Sequence, residues 1–86
     1  MLYNRLAMLR ADRCLSRKDL AALVGVNFQT IGYLERGEYS PSLELALKLS
    51  EQLKLPVEMI FSLQPFVPVS QELLRAKNVV IDKELL

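Results

Sequence analysis

At 86 residues the chain has room for one folded unit and little else, since a single hydrophobic core organises about 50 to 200 residues. Hydrophobic side chains make up 51% and charged ones 24% of it, the usage of a globular domain, which excludes wholesale disorder. The net charge is only +1, but residues 1 to 36 carry six basic groups against three acidic ones, a bias suited to facing phosphate that ordinary solvated helix faces also produce.

Leu2, Leu6, Leu9 and Arg13 recur at helical spacing and predict a first amphipathic helix over residues 3 to 13, stopping near Cys14. Leu15-Ser16-Arg17-Lys18-Asp19-Leu20 then carries a helix start signal. Ser16 caps the next turn, Asp19 follows three residues on, and Leu15 can staple to Leu20. This second helix runs to about Val24, where Gly25 offers the left-handed conformation that ends it. Asn27 repeats the cap signal with Val26 stapling to Ile31, so a third helix spans Phe28 to Glu35 or Arg36. Arg36 to Pro41 is rich in turn residues and predicts a loop. Ser42 then caps a fourth helix from Leu43 to about Lys54, with Leu43, Ala46, Leu49 and Leu53 as its buried stripe. Pro56 suits the first turn of a short fifth helix, Val57 to Phe61.

The expected fold class is therefore all-α, with a five-helix domain over 1–63 and a short C-terminal extension over 64–86. The extension opens on Pro65 and Pro68, has Ser70 as the cap of one short helix reaching Lys77, and carries a strand-forming Val79-Val80-Ile81.

Two short helices joined through Gly25, with apolar residues on both sides of the turn, have the dimensions of a DNA-reading helix-turn-helix. Ala21 allows the two helices to cross closely, and Val24, Val26, Ile31 and Leu34 fill the space between them. On the third helix Phe28, Gln29, Gly32 and Tyr33 should then lie away from the core. Gln29 can pair bidentately with adenine, Phe28 can pack on a thymine methyl, and Tyr33 can donate to a phosphate or base edge. The same residues, as surface aromatics beside a solvated amide, also suit a groove on another protein.

The run Leu15 to Ala21, then Val24-Gly25-Val26, Thr30-Ile31, Leu34-Glu35-Arg36-Gly37 and Pro41-Ser42-Leu43 resembles the phage repressor and Cro family, also called the Xre family. The resemblance covers residues 3 to 63 and implies a lambda-repressor-like domain that binds double-stranded DNA as a dimer with the third helix in the major groove. It makes Asn27, Phe28, Gln29 and Tyr33 the base-contacting positions and Arg17 the first choice for a phosphate contact, with Arg36 and Ser40 as second choices. It also implies an ion pair between Arg10 of the first helix and Glu35 at the end of the third, and a charge at Arg10 on an inner helix face does need such a partner. Two positions depart from the family pattern. Glycine is usual where Cys14 stands, so a positive φ is expected there with the thiol as a packing residue, and a polar residue is usual where Gly32 stands.

With one cysteine and no histidine, neither a disulfide nor a zinc site of the usual ligand types can be built, and no cofactor is expected. No apolar run approaches the roughly 18 to 20 residues that cross a bilayer, and Met1 to Arg5 lacks a signal-peptide core, so a cytoplasmic location is expected. Enzymatic function is not expected, because no nucleophile with an evident base and no phosphate-cradling glycine loop is present. The expected function is a transcriptional repressor on a palindromic operator. A protein-interaction module on the same fold, an antitoxin and a restriction-modification controller are alternatives. Apolar residues crowd the extension (Phe66, Val67, Val69, Leu73, Leu74, Val79), and a homodimer formed through 64–86 is the simplest cover for them.

Overall fold

The computed structural model describes residues 1–66. Its elements are β1 (Tyr3–Asn4), α1 (Leu6–Asp12), α2 (Arg17–Val24), α3 (Phe28–Glu35), α4 (Leu43–Leu53), α5 (Val57–Ile60) and β2 (Phe61–Ser62). Side chains set most of these boundaries. The hydroxyls of Ser16 and Ser42 accept the amides of Asp19 and Leu45 at 3.0 and 3.1 Å, and the Asn27 side chain accepts the Gln29 amide at 2.8 Å. Gly25 ends α2 in the left-handed region at φ 73°. Among non-glycine residues, Cys14 and Lys54 take the same conformation at φ 56° and 58°, ending α1 and α4.

Five helices agree with the expected all-α class, but the two ends differ from it. Tyr3 and Asn4 are not helical: they pair antiparallel with Ser62 and Phe61, so residue 61 also leaves the fifth helix. The Asn4 carboxamide accepts the Leu6 amide at 3.0 Å, which starts α1 three residues later than periodicity indicates. Cys14 has the expected positive φ, yet its thiol is exposed rather than packed.

One core holds the helices together: Leu6 and Leu9 of α1, Leu20, Ala21 and Val24 of α2, Ile31 and Leu34 of α3, Leu45, Ala46, Leu49 and Leu53 of α4, with Ile60 and Phe61. Leu43, expected in the stripe of α4, is instead 74% exposed, and Leu45 fills its place. The face actually buried on α4 is 45, 46, 49 and 53, to which the first helical residue does not belong. No helix among the described residues is long and apolar enough to cross a membrane. The short helix expected after Ser70 and the strand expected at 79–81 lie outside the described residues.

Candidate nucleic-acid interface

Local chemistry fixes how α2 and α3 present themselves. At the start of α2, Ser16 and Asp19 form a reciprocal box: the Asp19 amide donates to the Ser16 hydroxyl at 3.0 Å and the Ser16 amide donates to the Asp19 carboxylate at 2.9 Å. Hydrogen bonding from the Ser16 backbone first, and its side chain second, holds the Asp19 carboxyl below its ordinary value. After Gly25 the chain turns and restarts at Asn27. Ile31 and Leu34 are 0% and 1% exposed, and their burial sets the roll of α3. That roll leaves Phe28, Gln29 and Tyr33 exposed on its outer side, near the capping Asn27.

Gly32 was expected on that outer side too, but it is buried. Its cover is cationic. A β-carbon placed on Gly32 would meet Nη1 of Arg36 at 3.2 Å and Nη1 of Arg17 at 3.8 Å. Arg36 also stands over the Tyr33 ring, 5.2 Å from its centroid, and its Nε donates to Glu38 at 3.1 Å. Lys18 stands 5.4 Å from the centroid of Phe28. Each aromatic of the outer face thus has a cation beside it.

Beneath this face, Glu35 receives two arginines. Arg10 Nε donates to its Oε2 at 2.7 Å, and Arg17 Nε donates to its Oε1 at 2.9 Å. The Glu35 side chain is 3% exposed, so its charge depends on these partners. Arg10 uses a further donor on the Leu15 carbonyl at 2.9 Å, tying the end of α1 to the entry of α2. Ser40 is exposed on the loop after α3, in which Gly37 takes a φ of 75°.

The helix-turn-helix family model matches residues 6–60. This chain belongs to the Xre/Cro-type helix-turn-helix family. It is 43% identical over 58 residues to an uncharacterized HTH-type transcriptional regulator of Methanocaldococcus jannaschii, covering 67% of this chain and 88% of that one. It is 39% identical over 61 residues to the HTH-type transcriptional regulator YgzD of Bacillus subtilis, covering 71% and 92%. Among solved structures it is similar to the restriction-modification controller protein C.AhdI from Aeromonas hydrophila, with TM-score 0.60 and 36% identity over 64% of this chain and 83% of that one.

Within this helix-turn-helix domain, two supporting residues escape sequence reasoning. Asn4 donates from Nδ2 to the Leu34 carbonyl at 2.8 Å, so the N-terminal strand holds the end of α3. Arg13, which the sequence places only by its helical spacing, donates to the carbonyls of Leu9 and Leu53 at 3.0 and 2.8 Å and fastens α1 to the end of α4. Both bonds to distant carbonyls are made across separations that no local pattern reports. A second cation on Glu35 was equally hidden, although an arginine in the first turn of α2 next to a family ion pair was the available signal.

Proposed function

We propose that this protein is a sequence-specific DNA-binding transcriptional regulator, acting as a repressor in the cytoplasm, that lays α3 in the major groove. The observation that carries this is the outer face of α3. Phe28 and Tyr33 are 44% and 47% exposed beside an exposed Gln29, on a helix whose opposite side is locked into the core. Gln29 takes the adenine-reading role, Phe28 and Tyr33 contact bases or a thymine methyl, and Asn27 contributes Nδ2 while its oxygen caps the helix. Arg17, Arg36 and Ser40 contact the phosphate backbone. The Arg10–Glu35 pair holds α1 against α3 and touches no DNA.

Residues 1–63 act as the DNA-binding domain and 64–86 as the element that joins two copies. A two-fold dimer of this kind sets its reading helices about 34 to 36 Å apart and selects a palindromic operator. Likeness to C.AhdI favours a second reading of the regulated genes, in which they are those of a restriction-modification system.

Selection of bound duplexes from a random pool, followed by titration of the selected site over a salt series, tests this. The expected results are an inverted-repeat site and an affinity that falls steeply with salt, since counterions leave as phosphates are contacted. A chain that enriches no sequence and shows no salt dependence is not a DNA-binding regulator.

A further inference from the structure

Gly32 sits in the middle of α3, where glycine weakens a helix and no turn or positive φ calls for it. What it does is leave room. Apart from its chain neighbours and the backbone of its own helix, the three heavy atoms nearest to where its β-carbon would stand all belong to guanidinium groups: Arg36 Nη1 at 3.2 Å, Arg17 Nη1 at 3.8 Å and Arg36 Cζ at 3.8 Å. Arg36 reaches this place from the position that caps the end of α3, and Arg17 reaches it from the first turn of α2.

Each guanidinium is anchored at its Nε. Glu38 takes that of Arg36 at 3.1 Å and Glu35 takes that of Arg17 at 2.9 Å. A guanidinium carries five donors in a rigid fork, so one bond at Nε does not exhaust it. The two Nη1 atoms stand at most about 7 Å apart, a span that one phosphate can bridge with two oxygens each accepting at about 2.7 to 2.9 Å. Two like charges brought this close repel, and an anion between them turns that repulsion into two attractions.

We infer that Gly32 is a positioning residue whose missing side chain lets Arg36 settle beside Arg17, so that the two converge on one phosphate of the DNA backbone. The inference rests on the DNA-binding function proposed above and adds to it a site of two arginines acting together, with a residue that leaves Arg36 the room to take up its position there. A methyl group at Gly32 displaces the far end of the Arg36 side chain by a few tenths of an ångström and touches no backbone, so the domain still folds.

The test compares the full chain with Gly32→Ala, Arg36→Ala and the double variant, measuring the melting temperature and the affinity for the selected duplex and for an unrelated duplex over a chloride series. Gly32→Ala should melt no lower than the parent, yet bind both duplexes about three- to tenfold more weakly and with a shallower salt slope, as one phosphate contact carries a slope of about 0.9. In the Arg36→Ala background the same change should have little further effect, because the group it displaces is gone. If the parent binds and Gly32→Ala matches it in affinity and slope, the convergence has no role in binding. Additive losses in the double variant, or a loss confined to one base pair of the selected site, also overturn it. If the parent itself fails to bind any duplex, the DNA-binding function falls and this site with it.

Discussion

Arg10 and Glu35 meet where the last turn of α1 passes the end of α3, with Arg10 Nε 2.7 Å from Glu35 Oε2. The two are not equivalent, because the Glu35 side chain is 3% exposed, that of Arg10 is 19% exposed, and Arg17, the second donor to Glu35, is 45% exposed. Removing the carboxylate strands the more buried charge of Arg10, whereas removing Arg17 leaves Glu35 with its shorter bond. We expect Glu35→Ala to cost about 2 to 4 kcal/mol and Arg17→Ala no more than about 1 kcal/mol. Urea unfolding of the two variants checks this. Equal losses would mean that Arg17 holds the fold as firmly as Arg10 does.

Gln29 and Arg17 should separate in how they fail to bind DNA. Gln29→Ala is expected to cost about 1 to 3 kcal/mol at the selected site and to flatten preference at one base pair. Arg17→Ala is expected to weaken every sequence alike and to lower the salt slope. Binding isotherms on the selected duplex and its single-base variants make the comparison. A Gln29→Ala protein that discriminates as the parent does would show that α3 does not read through this residue.

Cys14 and Gly25 occupy the same backbone region, at φ 56° and 73°, and predict opposite responses to exchange. Cys14→Gly relieves a non-glycine residue of a left-handed conformation and should stabilise the domain by up to about 1 kcal/mol, with DNA affinity unchanged. Gly25→Ala meets no atom within 4 Å, so any loss is conformational, about 1 to 2 kcal/mol. Thermal melts of both variants give the signs. A less stable Cys14→Gly would show that the exposed thiol makes contacts that outweigh its backbone.

Asp19 gives the start of α2 a pH dependence. Its carboxyl is held below the ordinary carboxylate value by the Ser16 amide and hydroxyl, so the capping box is fully formed above about pH 4 and is lost as pH falls through the lowered value. The stability difference between the parent and Asp19→Asn should therefore be constant near neutrality and shrink in acid. Melting temperatures from pH 7 to pH 2 follow it. A gap that stays constant down to pH 2 would show that charge is not what Asp19 contributes.

The inner structure of this domain is legible in its sequence because each boundary is a local event. Ser16, Asn27 and Ser42 announce helix starts, Gly25 announces a stop, and the spacing of Leu20, Val24, Ile31 and Leu34 fixes which faces meet. Misreadings come from interactions across the chain. Leu2 and Leu6 continue the helical period of Leu9, but pairing with Phe61 and Ser62 draws Tyr3 and Asn4 into a strand. Gly32 has too little surface of its own to stay exposed once two long arginines lie across it, and neither arginine declares its direction in the sequence. The exposed positions of α3 were legible for a related reason, since the buried pair Ile31 and Leu34 dictates where Phe28, Gln29 and Tyr33 must point.

The pairing of Tyr3 and Asn4 with Ser62 and Phe61 has a consequence for what counts as a transferable piece of this protein. It brings the two ends of the domain to one strand spacing, about 4.8 Å, so that anything fused to either end departs from the same place. The Arg5 amide bonds the Ile60 carbonyl at 2.9 Å just inside that clasp. A graft cut at residues 6 and 60, where the family match begins and ends, keeps all five helices but loses the clasp and the Asn4 side chain that holds both Leu6 and Leu34. The portable unit is accordingly 3 to 62, and a chimera built on the shorter span would carry an α3 whose far end keeps the Arg10–Glu35 pair but has lost its tie to the N-terminal strand.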